Sequence, residues 1–356
     1  MAYTTIDDGS AHFHTQTYTG NGSADRDITN DANAGDFKPD FLWIKTRSLS
    51  GNSHHLFNSS VGMPNHVSSD TIYQEATATN KATALNTDGF RVQTHSSVNQ
   101  NSATYVAWQW KANGGTASSN TDGDITSSVQ ANTTAGFSIV TYTGNGNASA
   151  QTVGHGLGAE CKLVLLRGRS IDDESWRVFH ESVSQSGGGN FFLNGTSALD
   201  TGDPARITST NTTTFTLDGY HSTYDALNQS SQTYLAYCFA EIKGYSKIGS
   251  YVGNGDADGT FVYMGFKPAF ILIKRNATES WIISDTTRDP FNKAGAEEYL
   301  LADTDGAAAA GLQYDFLSNG IKFRGTSQNE SGATYVYIAF AEHPFVSSKG
   351  VPVTAR

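Results

Sequence analysis

The sequence predicts an all-β protein made of three tandem antiparallel β-sandwich domains of one repeated type, with a jelly-roll-like character. Composition is the first observation: only 16% of the 356 residues are charged, and 36 glycines stand against 7 prolines. Typical soluble domains have about 25% charged residues. In this chain the missing charged residues are replaced by Thr, Ser, Asn and Gly, which suit strands and turns better than helices. The other two observations are a threefold repeat and a period-two alternation of apolar residues.

The repeat is marked by the string YTGNG at 18–22 and 142–146 and by YVGNG at 251–255. Each string is followed by the same landmarks in the same order. An apolar run ending in a base comes first: FKPDFLWIKTR, LGAECKLVLLRGR and FKPAFILIKR. A short segment follows (HHLFNSS, WRVFHES, WIISDTT), then a glycine-centred strand (NTDGFRVQT, TLDGYHST, LSNGIKFRG), and last an aromatic-rich strand (SATYVAWQWKA, SQTYLAYCFAEI, GATYVYIAFAEH).

The repeat unit is long enough to hold a core of its own, unlike the units of solenoid proteins. We therefore expect domains at 1–112, 130–245 and 246–345, with a linker at 113–129 and a C-terminal tail at 346–356. The N-terminal part of the first domain is expected to be a docking segment.

Alternation in the apolar segments favours strands over helices. In the closing strand of the first copy, one face carries Tyr105, Ala107 and Gln109, and the other carries Val106, Trp108 and Trp110. Both faces are bulky, as in a strand that packs on two sides. The base at the end of each apolar run is expected to mark the exit of the strand into water: Lys45, Arg167 and Lys274.

The YTGNG strings are interpreted as structural turns. Asn-Gly is the strongest short hairpin signal, because both residues tolerate positive φ. A phosphate-binding loop is the alternative, but it needs a following helix together with a lysine or a third glycine. The sequences GNGSAD, GNGNAS and GNGDAD have none of these. We expect a hairpin in each copy.

Charge and targeting signals narrow the choice of partners. The net charge is −11, with no basic stripe, so neither nucleic acid nor an anionic membrane surface is expected as a partner. The start MAYTTIDDGSAHFH has no signal-peptide pattern, and no apolar run reaches the ~18 residues of a membrane helix. Cys161 and Cys238 are expected to be buried free thiols, with a disulfide as the alternative.

Metal and cofactor sites are not expected. The pairs His12/His14 and His54/His55 lack the spacing of a zinc motif. Two acidic turns resemble the first half of a calcium loop but lack its bidentate glutamate at position twelve. They remain candidates for a surface calcium ion: Asp256 and Asp258, and Asp303 and Asp305.

Catalysis is not expected either. Asp172, Asp173 and Glu174 form the paired carboxylates that a glycosidase would need, yet the segment DDES has no counterpart in the other copies and is interpreted as a solvated loop. The tryptophans are expected in the core, except Trp110. That residue lies at a strand end and either packs on the next domain or meets a partner.

The ordered strings YTGNG, FKPDFLWIK, TDGF, ATYVAWQWKA and FKPAFILIKR resemble a family of tail-fibre-like virion proteins of marine phages, which carry tandem copies of one domain. The resemblance covers nearly the whole chain. The second copy departs from it, because AECKLVLLRGR lacks the Pro and Lys of FKPDFLWIK.

This resemblance implies a non-enzymatic virion protein, made in the host cytoplasm, that forms a tail fibre or tail appendage and contacts the host surface. A capsid decoration or head-fibre protein is the alternative, and a polysaccharide depolymerase is a more remote one. A homotrimer is expected, attached to other virion proteins through the N-terminal segment. The third domain is then distal, with Asn254, Asp258 and Asn276 facing a host glycan or protein.

Overall fold

The computed structural model describes residues 4–31, 37–185, 188–221, 227–293 and 295–351. Antiparallel sheets dominate, and each copy of the repeat forms a two-layer sandwich, which confirms the predicted all-β sandwich fold. The helical elements are short: a 3-10 helix at Gly9–Ala11, α1 at Ser96–Asn99 and α2 at Glu181–Ser184.

The first copy contains β1 (Phe13–Thr19), β2 (Arg26–Ile28), β3 (Phe41–Thr46), β4 (His55–Asn58), β5 (Asn65–Val67), β6 (Ala76–Thr77), β7 (Ala82–Leu85), β8 (Phe90–Val92) and β9 (Thr104–Trp110). Its large sheet has the strand order β1-β9-β3-β4-β5-β6, and its small sheet has the order β2-β8-β7.

The second copy contains β10 (Ser118–Asn120), β11 (Ser127–Asn132), β12 (Phe137–Thr143), β13 (Gln151–Gly154), β14 (Cys161–Gly168), β15 (Arg177–His180), β16 (Phe191–Phe192), β17 (Ile207–Thr210), β18 (Thr214–Leu217) and β19 (Thr233–Ala240). The orders are β10-β11-β12-β19-β14-β15-β16 and β13-β18-β17. The segment 113–129 therefore supplies strand residues to this sheet.

The third copy contains β20 (Ser246–Val252), β21 (Phe261–Tyr263), β22 (Phe266–Arg275), β23 (Ile282–Asp285), β24 (Glu297–Leu301), β25 (Ala309–Leu312), β26 (Tyr314–Leu317), β27 (Gly320–Phe323) and β28 (Thr334–Pro344). The orders β20-β28-β22-β23-β24-β25 and β21-β27-β26 repeat those of the first copy.

Each large sheet has two buried faces with different neighbours. One face packs on the small sheet of the same copy, as Leu42 and Ile44 do, and forms a core private to that copy. The other face, which includes Trp43 and Trp108, joins a cluster built from all three copies. This arrangement explains why both faces of these strands are apolar in the sequence.

The shared cluster closes around residues that hold the same register position in each copy. Each of them pairs with one residue on both neighbouring strands of its large sheet: Trp110 with Phe13 and Phe41, Phe239 with Phe137 and Leu163, and Phe340 with Ser246 and Phe270. The ring centroids of Trp110, Phe239 and Phe340 form a triangle with sides of 6.4, 5.8 and 5.9 Å. We call the line that passes through the centre of this triangle, perpendicular to its plane, the axis.

The copies therefore lie side by side around the axis, and the expectation of a distal third domain is wrong. Phe13 of the first copy stacks on Phe340 of the third, with 5.1 Å between ring centroids. Asp7, near the start of the chain, accepts hydrogen bonds from the amide and hydroxyl of Ser348 at 2.6 and 2.5 Å. The two ends of the described chain meet at the same end of the molecule.

The hairpin prediction for YTGNG is also wrong, although the turn is structural as expected. β1 pairs with β9, whereas β2 pairs with β8 in the other sheet, so the turn carries the chain from one layer to the next. Gly22 adopts a φ of 74°, in the left-handed region that glycine tolerates. The same holds for its counterparts, Gly146 and Gly255.

The bases at the ends of the apolar runs do not exit into water. Lys45, Arg167 and Lys274 have no exposed surface. Lys45 donates to the carbonyl of Asp305 at 3.2 Å, and Arg167 donates to the carbonyls of Thr71 and Tyr73. The strands end at the boundary between two copies, where backbone carbonyls replace the water that the sequence pattern implied.

The cysteine prediction is confirmed, since Cys161 and Cys238 are both buried and free. Burial raises the pKa of the Cys238 thiol well above its usual value. Trp43, Trp108, Trp176 and Trp281 are buried as predicted.

Candidate functional site

The two ends of the molecule carry different parts of the chain. The end at Trp110, which we call the terminus end, carries Asp7 and Ser348 from the first and last parts of the described chain. The opposite end, which we call the loop end, carries the turns that follow β1, β12 and β20 and the segments that precede β9, β19 and β28. Candidate contacts predicted from the third copy lie at the loop end.

The loop end is held by the same hydrogen bonds in each copy. The first-strand tyrosine of each YTGNG or YVGNG string donates its hydroxyl to a backbone carbonyl of the facing segment, at 2.7 to 2.8 Å. It also stacks on a second tyrosine with about 5 Å between ring centroids. The pairs are Tyr18 with Tyr105, Tyr142 with Tyr234, and Tyr251 with Tyr335.

A buried asparagine in each copy completes this arrangement, and sequence reasoning missed it. Asn228 accepts a hydrogen bond from the amide of Asn145 at 2.9 Å and donates to the Asn145 side chain at 2.8 Å. Asn99 and Asn329 hold the equivalent turns. The sequence did contain a signal, because each asparagine stands six residues before the second tyrosine of its pair.

Asn254, Asp256 and Asp258 lie in one exposed turn of the third copy. The Asn254 side chain accepts from the Asp256 amide at 3.1 Å, and the Asp256 side chain accepts from the Asp258 amide at 3.0 Å. Asp258 forms an ion pair with Lys322 at 2.8 Å, and this hydrogen bond lowers the pKa of the Asp258 carboxyl. The two carboxylates thus have separate partners, a backbone amide for Asp256 and a lysine for Asp258.

The two aspartates of the second calcium candidate also have different surroundings. Asp303 is buried and accepts from the Trp281 amide at 3.0 Å, and burial raises the pKa of its carboxyl. Asp305 is exposed, and its backbone carbonyl accepts from Lys45. Within the described residues, no group of three or more His, Cys, Asp or Glu side chains is arranged to hold a metal ion.

Asn276 is half-buried at the end of β22, where its amide donates to the Thr334 carbonyl at 2.8 Å. Trp110 is only 2% exposed, so of the two roles considered for it, packing against other copies is the one that the structure shows. Three large apolar side chains are exposed on β20 and β21, the strands that flank the Asn254 turn, and we call them the apolar patch: Val252, Phe261 and Tyr263, which are 56%, 42% and 55% exposed.

His54, one of the histidines whose spacing does not fit a zinc motif, is buried at a boundary between copies. His54 has no exposed surface, and burial lowers its pKa well below the usual value. Trp43 donates its ring N–H to His54 Nδ1 at 2.8 Å, so the proton of the neutral imidazole is on Nε2. Nε2 donates to the Leu301 carbonyl of the third copy at 3.0 Å.

The DDES segment lies at a boundary between copies: Asp172 and Asp173 are exposed, as the solvated-loop interpretation expects, but Glu174 is not. Glu174 is 1% exposed, and its amide donates to the Ile72 carbonyl of the first copy at 3.1 Å. Asp172 accepts from the Gln74 amide at 3.1 Å. These acidic residues connect the second copy to the first.

No helix in the described part of the chain has the length and apolarity of a membrane span. In a comparison with protein families, the chain matches the model of a domain of unknown function, DUF7483, over residues 8–344. The chain belongs to this family. No curated protein and no solved structure matches the chain.

The DUF7483 match runs through all three copies as one unit. It begins beside the 3-10 helix at Gly9–Ala11 and ends with the last residue of β28. The DUF7483 unit therefore includes every strand that surrounds the axis in this structure.

Proposed function

We propose that this DUF7483 protein is a non-enzymatic structural protein of a bacteriophage virion, located in a tail fibre or tail appendage, that contacts the host surface with its loop end. The separation of the two ends carries the proposal. The terminus end, where Asp7 binds Ser348, is the attachment side. The loop end presents turns from all three copies in one direction.

The exposed patch of the third copy is the proposed contact. Phe261 and Tyr263 are two apart on β21, so both side chains project from one face of the strand. Large apolar side chains grouped on a surface mark interaction sites more often than scattered ones do. Polar groups flank the patch, because Asp258 and Asn254 lie in the adjoining turn.

The first test is a cryo-electron reconstruction of virions of the phage that encodes this chain. The proposal expects density for the chain on the tail, with the terminus end inward and the loop end outward. Density distributed over the capsid supports the alternative of a decoration protein and overturns tail placement. Release of oligosaccharide from host envelope material by the purified chain contradicts the non-enzymatic assignment.

Host contact is tested separately with purified protein added to host cells before infection. The unmodified chain is expected to reduce phage adsorption by occupying the receptor, and the variant Phe261→Ser/Tyr263→Ser is expected to lose this effect. Phe291→Ser is the control, because Phe291 is even more exposed, at 68%, but lies outside the patch. Equal competition by all three proteins excludes the patch.

The proposed homotrimer is a distinct part of the proposal. A single chain already arranges three copies around an axis, so the trimer would be three such units. Light scattering decides between one chain of 38.1 kDa and three times that mass. A monomer at the concentrations used for adsorption contradicts the trimer without affecting tail placement.

A further inference from the structure

One segment of the second copy has no counterpart in the described part of the third copy. In the second copy, β11 pairs with the outer edge of β12, and Ile125, which precedes β11, forms a parallel bridge with Val153 of β13. The Ile125 amide donates to the Thr152 carbonyl at 3.0 Å. A single stretch, residues 125–132, therefore closes the edges of both sheets on one side of this sandwich.

The same two edges are uncovered in the third copy. β20 is the counterpart of β12 and begins the large sheet, whereas β21 is the counterpart of β13 and begins the small sheet. Among the described residues, no further strand pairs with either edge. The side of the sandwich that the second copy closes with its own chain is therefore available to another molecule in the third copy.

Two residues mark these edges. Ser250 of β20 stands at the position of Thr141, because each precedes the stacked tyrosine of its strand. Phe261 of β21 stands at the position of Thr152, because each precedes the buried valine of its strand. Thr141 pairs with Ser128 of β11, whereas Ser250 and Phe261 are exposed.

The backbone groups of both residues face away from their sheets. Gly253 donates to a carbonyl of the segment before β28, and alternate residues of an antiparallel strand bond to the same neighbour, so Ser250 faces outward. Phe323 of β27 donates to the Thr260 carbonyl, so Phe261 also faces outward. Within the part of the chain that the structure describes, the backbone N–H and C=O groups of Ser250 and Phe261 make no hydrogen bond.

The first copy protects the equivalent edges with charged side chains. Arg26 donates to the carbonyl of Thr19, the last residue of β1, at 2.6 Å. Asp27 stands at the position of Phe261 and forms an ion pair with Arg91 at 2.8 Å. Charged side chains on an edge strand oppose its pairing with another chain. In the third copy, residues 249–252 and β21 carry no charge, and the apolar patch lies on this side instead.

We propose that the uncovered edges of β20 and β21 bind an extended segment of a partner protein, which adds a strand to β20 and covers the apolar patch. Backbone hydrogen bonds give such an added strand its affinity, and its alternate side chains give specificity. Residues 125–132 show which chemistry fits this framework: all are uncharged, and Ile125 and Val129 join the core of the sandwich. The inference rests on the proposed function for its contact surface, and it names the partner as a protein strand.

The test is an NMR titration of the full chain with a capped peptide of the sequence ITSSVQAN, residues 125–132. The peptide is expected to shift the backbone amide signals of Ser250 and Phe261 and to slow hydrogen exchange at Ser250. N-methylation of the peptide at Ser128, the residue that pairs with Thr141, removes one strand N–H and is expected to weaken binding about tenfold. Equal binding of the methylated peptide overturns strand addition.

A variant taken from the first copy tests the edge on the protein side. Phe261→Asp introduces the residue that the first copy has at this position, and it is expected to weaken peptide binding about tenfold or more. Phe291→Asp is the control, because Phe291 is 68% exposed but lies outside the apolar patch, and it should leave binding unchanged. Equal binding by the two folded variants overturns the site.

Other occupants of the edges give different results. Shifts of the Ser250 and Phe261 signals when the chain is concentrated without peptide identify a second copy as the occupant, and binding of maltotriose without binding of the peptide identifies a glycan. Either result overturns the partner protein.

The outcome is separable from that of the adsorption experiment. Absence of any peptide-induced shift overturns the added strand, even if Phe261→Ser/Tyr263→Ser still abolishes competition for host cells. Peptide binding together with unaltered competition by that double variant supports the added strand and contradicts the proposed host contact.

Discussion

Gly20 lies so close to the turn before β9 that a Cβ atom on it would be 2.1 Å from the Gln100 carbonyl oxygen. Gly144 and Gly253 face Gln229 and Glu330 in the same way, at 2.2 and 2.4 Å. At the residue scale, the repeated glycine is therefore explained by a close approach of two backbones rather than by ligand binding.

Gly20→Ala is expected to reduce the free energy of unfolding by about 1–3 kcal/mol, because the new methyl group forces two backbone segments apart. Denaturant unfolding measures the change. Gly195→Ala is the control, since its Cβ would have only ordinary contact, at 4.0 Å from Phe192 Cβ. Equal stability of the two variants contradicts the close approach.

Lys45 shows the cost of placing a base at a boundary between copies. Burial lowers its pKa from 10.5 to about 8, while Asp70 and Asp305 oppose the shift. The unfolded chain therefore binds more protons than the folded one between pH 8 and pH 10.5. The resulting destabilisation is complete below pH 8 and disappears as pH rises towards 10.5.

Lys45→Met removes this titration. The unfolding free energy of the unmodified chain, relative to Lys45→Met, is expected to rise by about 1–2 kcal/mol between pH 7.5 and pH 9.5. Chemical denaturation of both proteins across that range measures the difference. A difference that stays constant or falls with pH shows that the folded-state pKa of Lys45 is not lowered.

At the scale of elements, one side-chain N–H per copy ties a strand to the neighbouring copy. The Nε1 atoms of Trp176 and Trp281 donate to the Ser68 and Phe192 carbonyls at 2.8 Å, and His54 donates to the Leu301 carbonyl. The three acceptors are equivalent in strand register. Each stands one residue after the strand partner of a buried core residue, and these core residues are Leu56, Val178 and Ile283. The copies thus form a closed cycle of equivalent contacts.

Trp281→Phe keeps most of the packing of the ring but removes its N–H donor. We expect a loss of about 1–2 kcal/mol in unfolding free energy, because the carbonyl of the half-buried Phe192 loses its donor. Thermal and denaturant unfolding measure the effect. Phe291→Leu, at a 68% exposed position, serves as the control and should change stability by less than about 0.5 kcal/mol.

At the scale of the whole molecule, the three copies share one core, and we therefore expect them to unfold together. Phe13, Trp110, Phe239 and Phe340 bring residues of all three copies into mutual contact. Removal of one side chain at the axis therefore affects every copy. The match of the DUF7483 model to residues 8–344 is consistent with one such unit.

Trp110→Ala is expected to cost about 3–5 kcal/mol through the cavity left at the axis. Hydrogen exchange should show lower protection in β9, β19 and β28 together, and calorimetry should show a single transition at lower temperature. Loss of protection confined to peptides of the first copy contradicts a shared core.

The sequence by itself determined the strands, the threefold repeat and the structural nature of YTGNG, because period-two alternation and turn residues are local properties of the chain. It also indicated that strands such as β9 pack on both faces. It did not show what the second face contacts. Only the tertiary structure decided that Trp110 lies at an axis, that Lys45 and Glu174 are buried, and that Phe261 lies on the outer edge of a sheet. Each of these depends on atoms from distant segments brought together by packing, and no spacing within one copy encodes that arrangement.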